Sequence, residues 1–127
     1  MGVGIGTHMF PFGTLGGIQI PFYFDKTSVN ASNISVATRA TASSDNLPWS
    51  SPVNSMYSPV IGGDASIPSV IDRWWDITAT GTTTGNAVFS YLGSENTLSS
   101  SYNLGTLGAQ NWNGAWAPPI GSANAVL

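Results

Sequence analysis

The chain contains no cysteine, one lysine, one histidine and one glutamate in 127 residues. Without cysteine there is no disulfide framework, no thiolate metal site and no thiol nucleophile. Charged residues make up 7% of the chain, against about 25% in an average soluble domain. The three cations, Lys26, Arg39 and Arg73, cannot form the basic face that neutralises phosphates, so nucleic acid is not an expected partner. No run of about 20 apolar residues is present, so no membrane-inserting helix is expected. Glu, Lys and Leu at helical spacing are too scarce for a bundle or coiled coil. The opening Met1-Gly2-Val3-Gly4 lacks the basic start and apolar stretch of a secretory signal.

What is present is aromatic and hydroxyl-rich. Hydrophobic residues reach 42%, with five Trp, four Tyr and five Phe. Ser and Thr fill roughly a quarter of the chain. A chain this aromatic with so little net charge can build a core and argues against disorder. Its length fits one domain.

Segmentation follows from period-two alternation and turn residues. Residues 1–17 are Gly-rich and read as a loop, an edge strand or a strand donated to a neighbour. Residues 18–127 read as one β-sandwich domain. Ile18–Phe24 forms the first strand, and Pro21 places it at an edge or a bulge because proline cannot donate to a ladder. Residues 28–42 alternate with a weakly apolar face that includes Val36. Residues 45–52 form a loop, and 53–70 a long connection with one short strand near 57–61. The best-defined unit is 70–92. There Val70–Thr80 and Ala87–Leu92 are expected to pair as a hairpin around Gly81–Asn86, with Trp75, Ile77, Phe89 and Tyr91 in the core. Asp72 and Asp76 are expected on the solvent side, with Arg73 paired to a neighbouring carboxylate. Asn113-Gly114 predicts a second hairpin with a two-residue type I′ turn, setting Trp112 opposite Ala115. The fold class is therefore all-β: an antiparallel two-sheet sandwich, Ig-like or jelly-roll-like, completed by a strand from a neighbouring subunit.

At these residues a family resemblance emerges. The runs Ile71-Asp-Arg-Trp-Trp-Asp-Ile77, Ala87-Val-Phe-Ser-Tyr91, Gly93-Ser-Glu-Asn96 and Trp112-Asn-Gly-Ala-Trp116-Ala-Pro-Pro119, with the opening Met9-Phe-Pro-Phe-Gly-Thr14, resemble a β-sandwich module of Bacteroidota secreted and cell-surface proteins. Such modules are often exported by the type IX route. The resemblance implies an extracellular or cell-surface location and a structural or adhesive role, and it implies no catalytic residues. Related modules usually continue into another apolar strand beyond the point where this sequence stops.

Candidate chemistry is sparse. A hydrolytic triad needs a base, and His8 lies in the Gly-rich N-terminal stretch, so it reads as a packing or solvent histidine. Asp72 and Asp76, four apart on a strand, would sit about 13 Å apart, wider than the roughly 5–9.5 Å used by glycosidases. Asp25, Asp45 and Asp64 are too scattered for a calcium loop. Asn30-Ala-Ser32 and Asn33-Ile-Ser35 match the N-glycosylation pattern, as expected by chance in an Asn- and Ser-rich chain. An isopeptide crosslink would have to use Lys26. No enzyme activity, cofactor or metal is expected.

Trp49, Trp74, Trp112 and Trp116, with Tyr102, exceed what so small a core can absorb beside Trp75. They read as interface anchors or as stacking surfaces for a ligand. The first functional reading is a structural subunit of an extracellular filament or surface layer, partnered by copies of itself. Residues 1–17 are then the expected donor strand, with 120–127 the alternative donor. The second reading is a carbohydrate- or surface-binding module acting through Trp112, Trp116 and Tyr102 on a polysaccharide. A viral capsid or tail jelly roll is the third.

Overall fold

The computed structural model describes residues 2–54, 57–58, 63–64, 70–96 and 107–117. Eight strands run in chain order: β1 (Gly2–Val3), β2 (Gly6–Phe10), β3 (Phe22–Lys26), β4 (Ser32–Ala40), β5 (Tyr57–Ser58), β6 (Gly63–Asp64), β7 (Arg73–Thr80) and β8 (Gly85–Phe89). The helical content among the described residues is one 3-10 turn, Gly93–Glu95. Two antiparallel three-stranded sheets form, ordered β1-β4-β7 and β2-β3-β8, and β5 pairs with β6. The expected all-β sandwich class holds.

The chain divides into two compact units, one of residues 1–39 with Trp75–Leu92, the other of Ala40–Trp74 with residues 93–127. In the first unit the core is aromatic and draws on both sheets. Val3, Phe10, Phe22 and Ile34 are buried, with Phe12, Phe24, Val36, Trp75 and Phe89 packed against them. Phe22, 1% exposed, is the hub. Its ring centroid lies 5.6 Å from Phe10, 5.6 Å from Trp75 and 5.3 Å from Phe89. Edge-on and tilted pairs at this separation add to what burial alone contributes. Strand alternation explains the choice of residues: Phe22, Phe24 and Lys26 point inward from β3, while Tyr23 and Asp25 point outward.

Several expectations are corrected. The 70–92 hairpin does not form, because β7 belongs to the β4 sheet and β8 pairs with β3 in the opposite sheet. The connection at 81–84 instead crosses from sheet to sheet. It is braced by the 27–31 connection, whose Thr27 and Ser28 amides donate to the Thr84 carbonyl at 2.9 and 3.3 Å, while Ser28 Oγ accepts the Thr84 amide at 3.1 Å. Gly81 sits at φ 81° with the Ala31 carbonyl only 2.8 Å from where a Cβ would stand, so the two crossings touch only because that residue is glycine.

Ile77, expected in the core, is 44% exposed. From Ile77 to Thr80 both parities of β7 are exposed, so alternation there no longer sorts residues into inside and outside. Tyr91 is half-buried, beyond the end of β8. The first long strand is shifted. Ile18 is exposed, Pro21 is buried just ahead of β3, and β3 is the centre of its sheet rather than an edge. A proline immediately before a strand costs no ladder bond, so it does not demote the strand that follows.

Candidate functional site

In the second unit the tryptophans gather around one turn. Trp112 and Trp116 bridge each other across it, with the Asn113 amide donating to Ala115 O at 3.1 Å and the Ala117 amide to Asn111 O at 3.0 Å. The loop is thus three residues long, not two, and Trp112 faces Trp116 rather than Ala115. The cause is the backbone. A type I′ turn needs positive φ at both central residues, and here only Gly114, at 81°, adopts it.

This register changes what the cluster is. Trp116 stacks edge-on against Trp112, centroids 5.4 Å apart at 76°, and against Trp74, 5.5 Å apart at 84°. All three are half-buried. Rings meeting edge to face form an interlocked knot, whereas a flat stacking platform needs faces in one plane. Gln110 Nε2 donates to Ala117 O at 2.9 Å and ties the two arms together. Trp49 is half-buried with its indole N–H buried and without a hydrogen-bond partner, as is that of Trp112. Tyr102 and the 120–127 tail lie outside the described residues.

Next to Trp74 in sequence is a buried polar centre. Arg73 and Glu95 form a two-pronged ion pair, Nε to Oε2 at 2.7 Å and a second bond from the outer guanidinium nitrogen to Oε1. Their side chains are 6% and 7% exposed. Asp72, expected at the surface, is also buried. Its carboxylate accepts from Asn46 Nδ2 at 2.8 Å, and its backbone bonds Thr41 and Glu95. Asn46 takes φ 56°, a left-handed turn that asparagine tolerates. Burial of this set is offset only because each charge is met by a partner.

The first unit holds the feature that the sequence pattern missed. Lys26, the only lysine, is 2% exposed. Its ammonium donates to Val3 O at 2.9 Å and to Asn30 O. The signal was available: Lys26 shares parity with Phe22 and Phe24 on β3. The partners are backbone carbonyls, not the side-chain amide that an isopeptide bond would use. His8 Nε2 is likewise spent on a carbonyl, that of Gly4 at 2.8 Å, and Asp25 accepts from Thr7 Oγ1 at 3.0 Å.

With Lys26 buried and Arg73 paired, the remaining cation is Arg39, and it lies 3.5 Å from Asp76. Each Lys and Arg side chain is therefore engaged within the chain. The outer face of the β2-β3-β8 sheet carries instead the cross-strand row Met9–Tyr23–Val88, set by the register. Met9 is 51% and Val88 43% exposed, and Ile5, Leu15 and Ile18 are exposed as well. Among the described residues no group of three or more metal-ligating side chains occurs, and no helix is long and apolar enough to cross a membrane. Comparison with protein-family models, curated proteins and solved structures returns no match.

Proposed function

We propose that this chain is a structural subunit of an extracellular filament or cell-surface assembly, in which β-sandwich units pack side by side and exchange strands with copies of themselves. The observation that carries the reading is the location of the cations. Monomeric β-proteins keep their sheet edges apart with exposed charge, lysine above all. Here the one lysine is buried, and both arginines are paired with carboxylates. The edge strand β2 and the face beside it present Met9, Tyr23 and Val88 in their place. With so little charge, copies of the chain repel each other weakly. The surface location rests on the resemblance of the 71–77 and 112–119 motifs to Bacteroidota surface modules.

The test is self-association of the purified chain. Light scattering and negative-stain electron microscopy over a wide concentration range should show a concentration-dependent passage from subunit to ordered polymer, little affected by salt. A single species of monomer mass at every concentration would refute the reading.

A further inference from the structure

We propose that the slot holding Gly2–Val3 is built to receive the same two residues from a second copy of this chain, with Gly6 as the hinge and Lys26 as the receiving side chain. The proposal rests on the assembly reading above and names its contact.

The argument begins with how β1 reaches its place. β1 and β2 belong to different sheets, yet only Gly4 and Ile5 separate them. The chain makes that crossing by taking Gly6 to φ 115°, a region closed to residues with a side chain. A Cβ at Gly6 would meet nothing within 4 Å, and neither would one at Gly4. Glycine at position 6 is thus required by the direction of the backbone and not by space. Short hinges invite exchange, and glycine, which takes positive and negative φ about equally readily, lets this one be bent or straight without strain. Once Gly6 straightens, residues 2–10 run on as one strand, β2 keeps its five register pairs with β3, and β1 points away from its own unit.

The hinge cannot lie further along. Residues 10–20 close on themselves through Ile20 N to Phe12 O at 2.8 Å, Thr14 N to Ile18 O at 2.9 Å and Gly17 N to Thr14 O at 3.0 Å. Exchange therefore moves β1 alone and not the whole of residues 1–17.

The slot recognises the strand by its backbone and by one methyl-bearing side chain. Its rungs are Gly2 opposite Asn33 and Val3 opposite Ser32. Val3 is buried among Phe10, Phe22 and Ile34. Lys26 donates to the Val3 carbonyl while Asn30 O holds the same ammonium in place. None of these contacts depends on which copy supplies the strand, and the only segment shown to satisfy them is this chain's own.

A cysteine pair distinguishes the two sources, since the chain has no cysteine of its own. Gly2→Cys with Asn33→Cys places the thiols at facing positions of an antiparallel pair, within disulfide reach. The full-length variant is assembled, oxidised and run on a non-reducing gel. Exchange predicts interchain disulfides and a ladder of covalent multimers. Gly6→Ala should raise the assembled fraction on the order of tenfold, since only the bent form carries the backbone penalty. Gly4→Ala, with equally open space, should leave that fraction unchanged. Assembled material carrying only intrachain disulfides would overturn the exchange while leaving assembly standing. Monomers at every concentration would overturn both.

Discussion

Replacing Glu95 by glutamine removes the charge opposite Arg73 with almost no change in shape. The guanidinium and carboxylate are 6% and 7% exposed and joined by two bonds. Breaking a buried pair from one side leaves the other charge desolvated and uncompensated, at about 3–5 kcal/mol. Glutamine keeps one acceptor, so Glu95→Gln should fall near the lower end, and Glu95→Ala near the upper. Against a total stability of about 5–15 kcal/mol, either is a large fraction. For a chain of this length 1 kcal/mol moves the melting temperature by several degrees, so the single variants should lose on the order of 10–20 °C. The double replacement Arg73→Met with Glu95→Leu removes both charges and refills the volume, and should recover most of that loss. Calorimetry on the parent, Arg73→Met, Glu95→Leu and the double variant closes the cycle and gives the coupling energy directly. Single variants melting within about 2 °C of the parent, or a double variant as damaged as the sum of the singles, would refute the claim that this pair is buried and mutually dependent.

Phe22→Ala should cost about 3–5 kcal/mol by urea titration, since it empties the centre of three ring contacts, whereas Ile77→Ala should cost less than about 1 kcal/mol because its side chain is half in water; equal costs would restore Ile77 to the core. Trp116→Ala removes the ring that joins Trp74 to Trp112 and should flatten the near-ultraviolet circular dichroism of the tryptophans, while Trp49→Phe should leave the coupling among those three intact. Met9→Lys places a cation on the edge strand at an exposed site. It should change unfolding free energy by no more than about 0.5 kcal/mol yet suppress polymer formation in light scattering, and normal assembly by this variant would remove β2 from the interface.

The sheet class could be read from the sequence because alternation and turn residues are local properties. β4 follows the 28–42 pattern closely, and the aromatic residues of β3, β7 and β8 were strand-prone on any reading. Pairing partners were less legible. Trp75 and Phe89 were each expected in the core, and they do meet there, centroids 5.9 Å apart. They meet across the core, from opposite sheets, and not side by side in one. A four-residue connection permits either arrangement, and the choice is made by the remote 27–31 segment that braces it. The Trp112–Trp116 contact was hidden by one residue of turn length. Asn-Gly is the strongest short signal for a two-residue loop, but the ring-to-ring contact between two tryptophans directly opposite forms only in the three-residue register.

The scarcity of charge takes on a different meaning once each charge has a place. A chain with three cations could still have spent them at its edges, where a few lysines suffice to keep sheets apart. This one spends Lys26 on two backbone carbonyls beneath its own N-terminal strand, and Arg73 on a carboxylate out of water. Both are costly positions for a charge, tolerable only with complete hydrogen bonding, and both fix a segment that local propensity would leave loose: a two-residue strand in one case, a one-turn 3-10 segment in the other. Two of the three cations thus secure their segments from within. The outside keeps the Arg39–Asp76 pair, Asp25 and Asp45 among hydroxyls, amides and the Met9–Tyr23–Val88 row. With each Lys and Arg side chain already engaged, no cation of this set is left to hold a second copy away, which is what the proposed assembly requires.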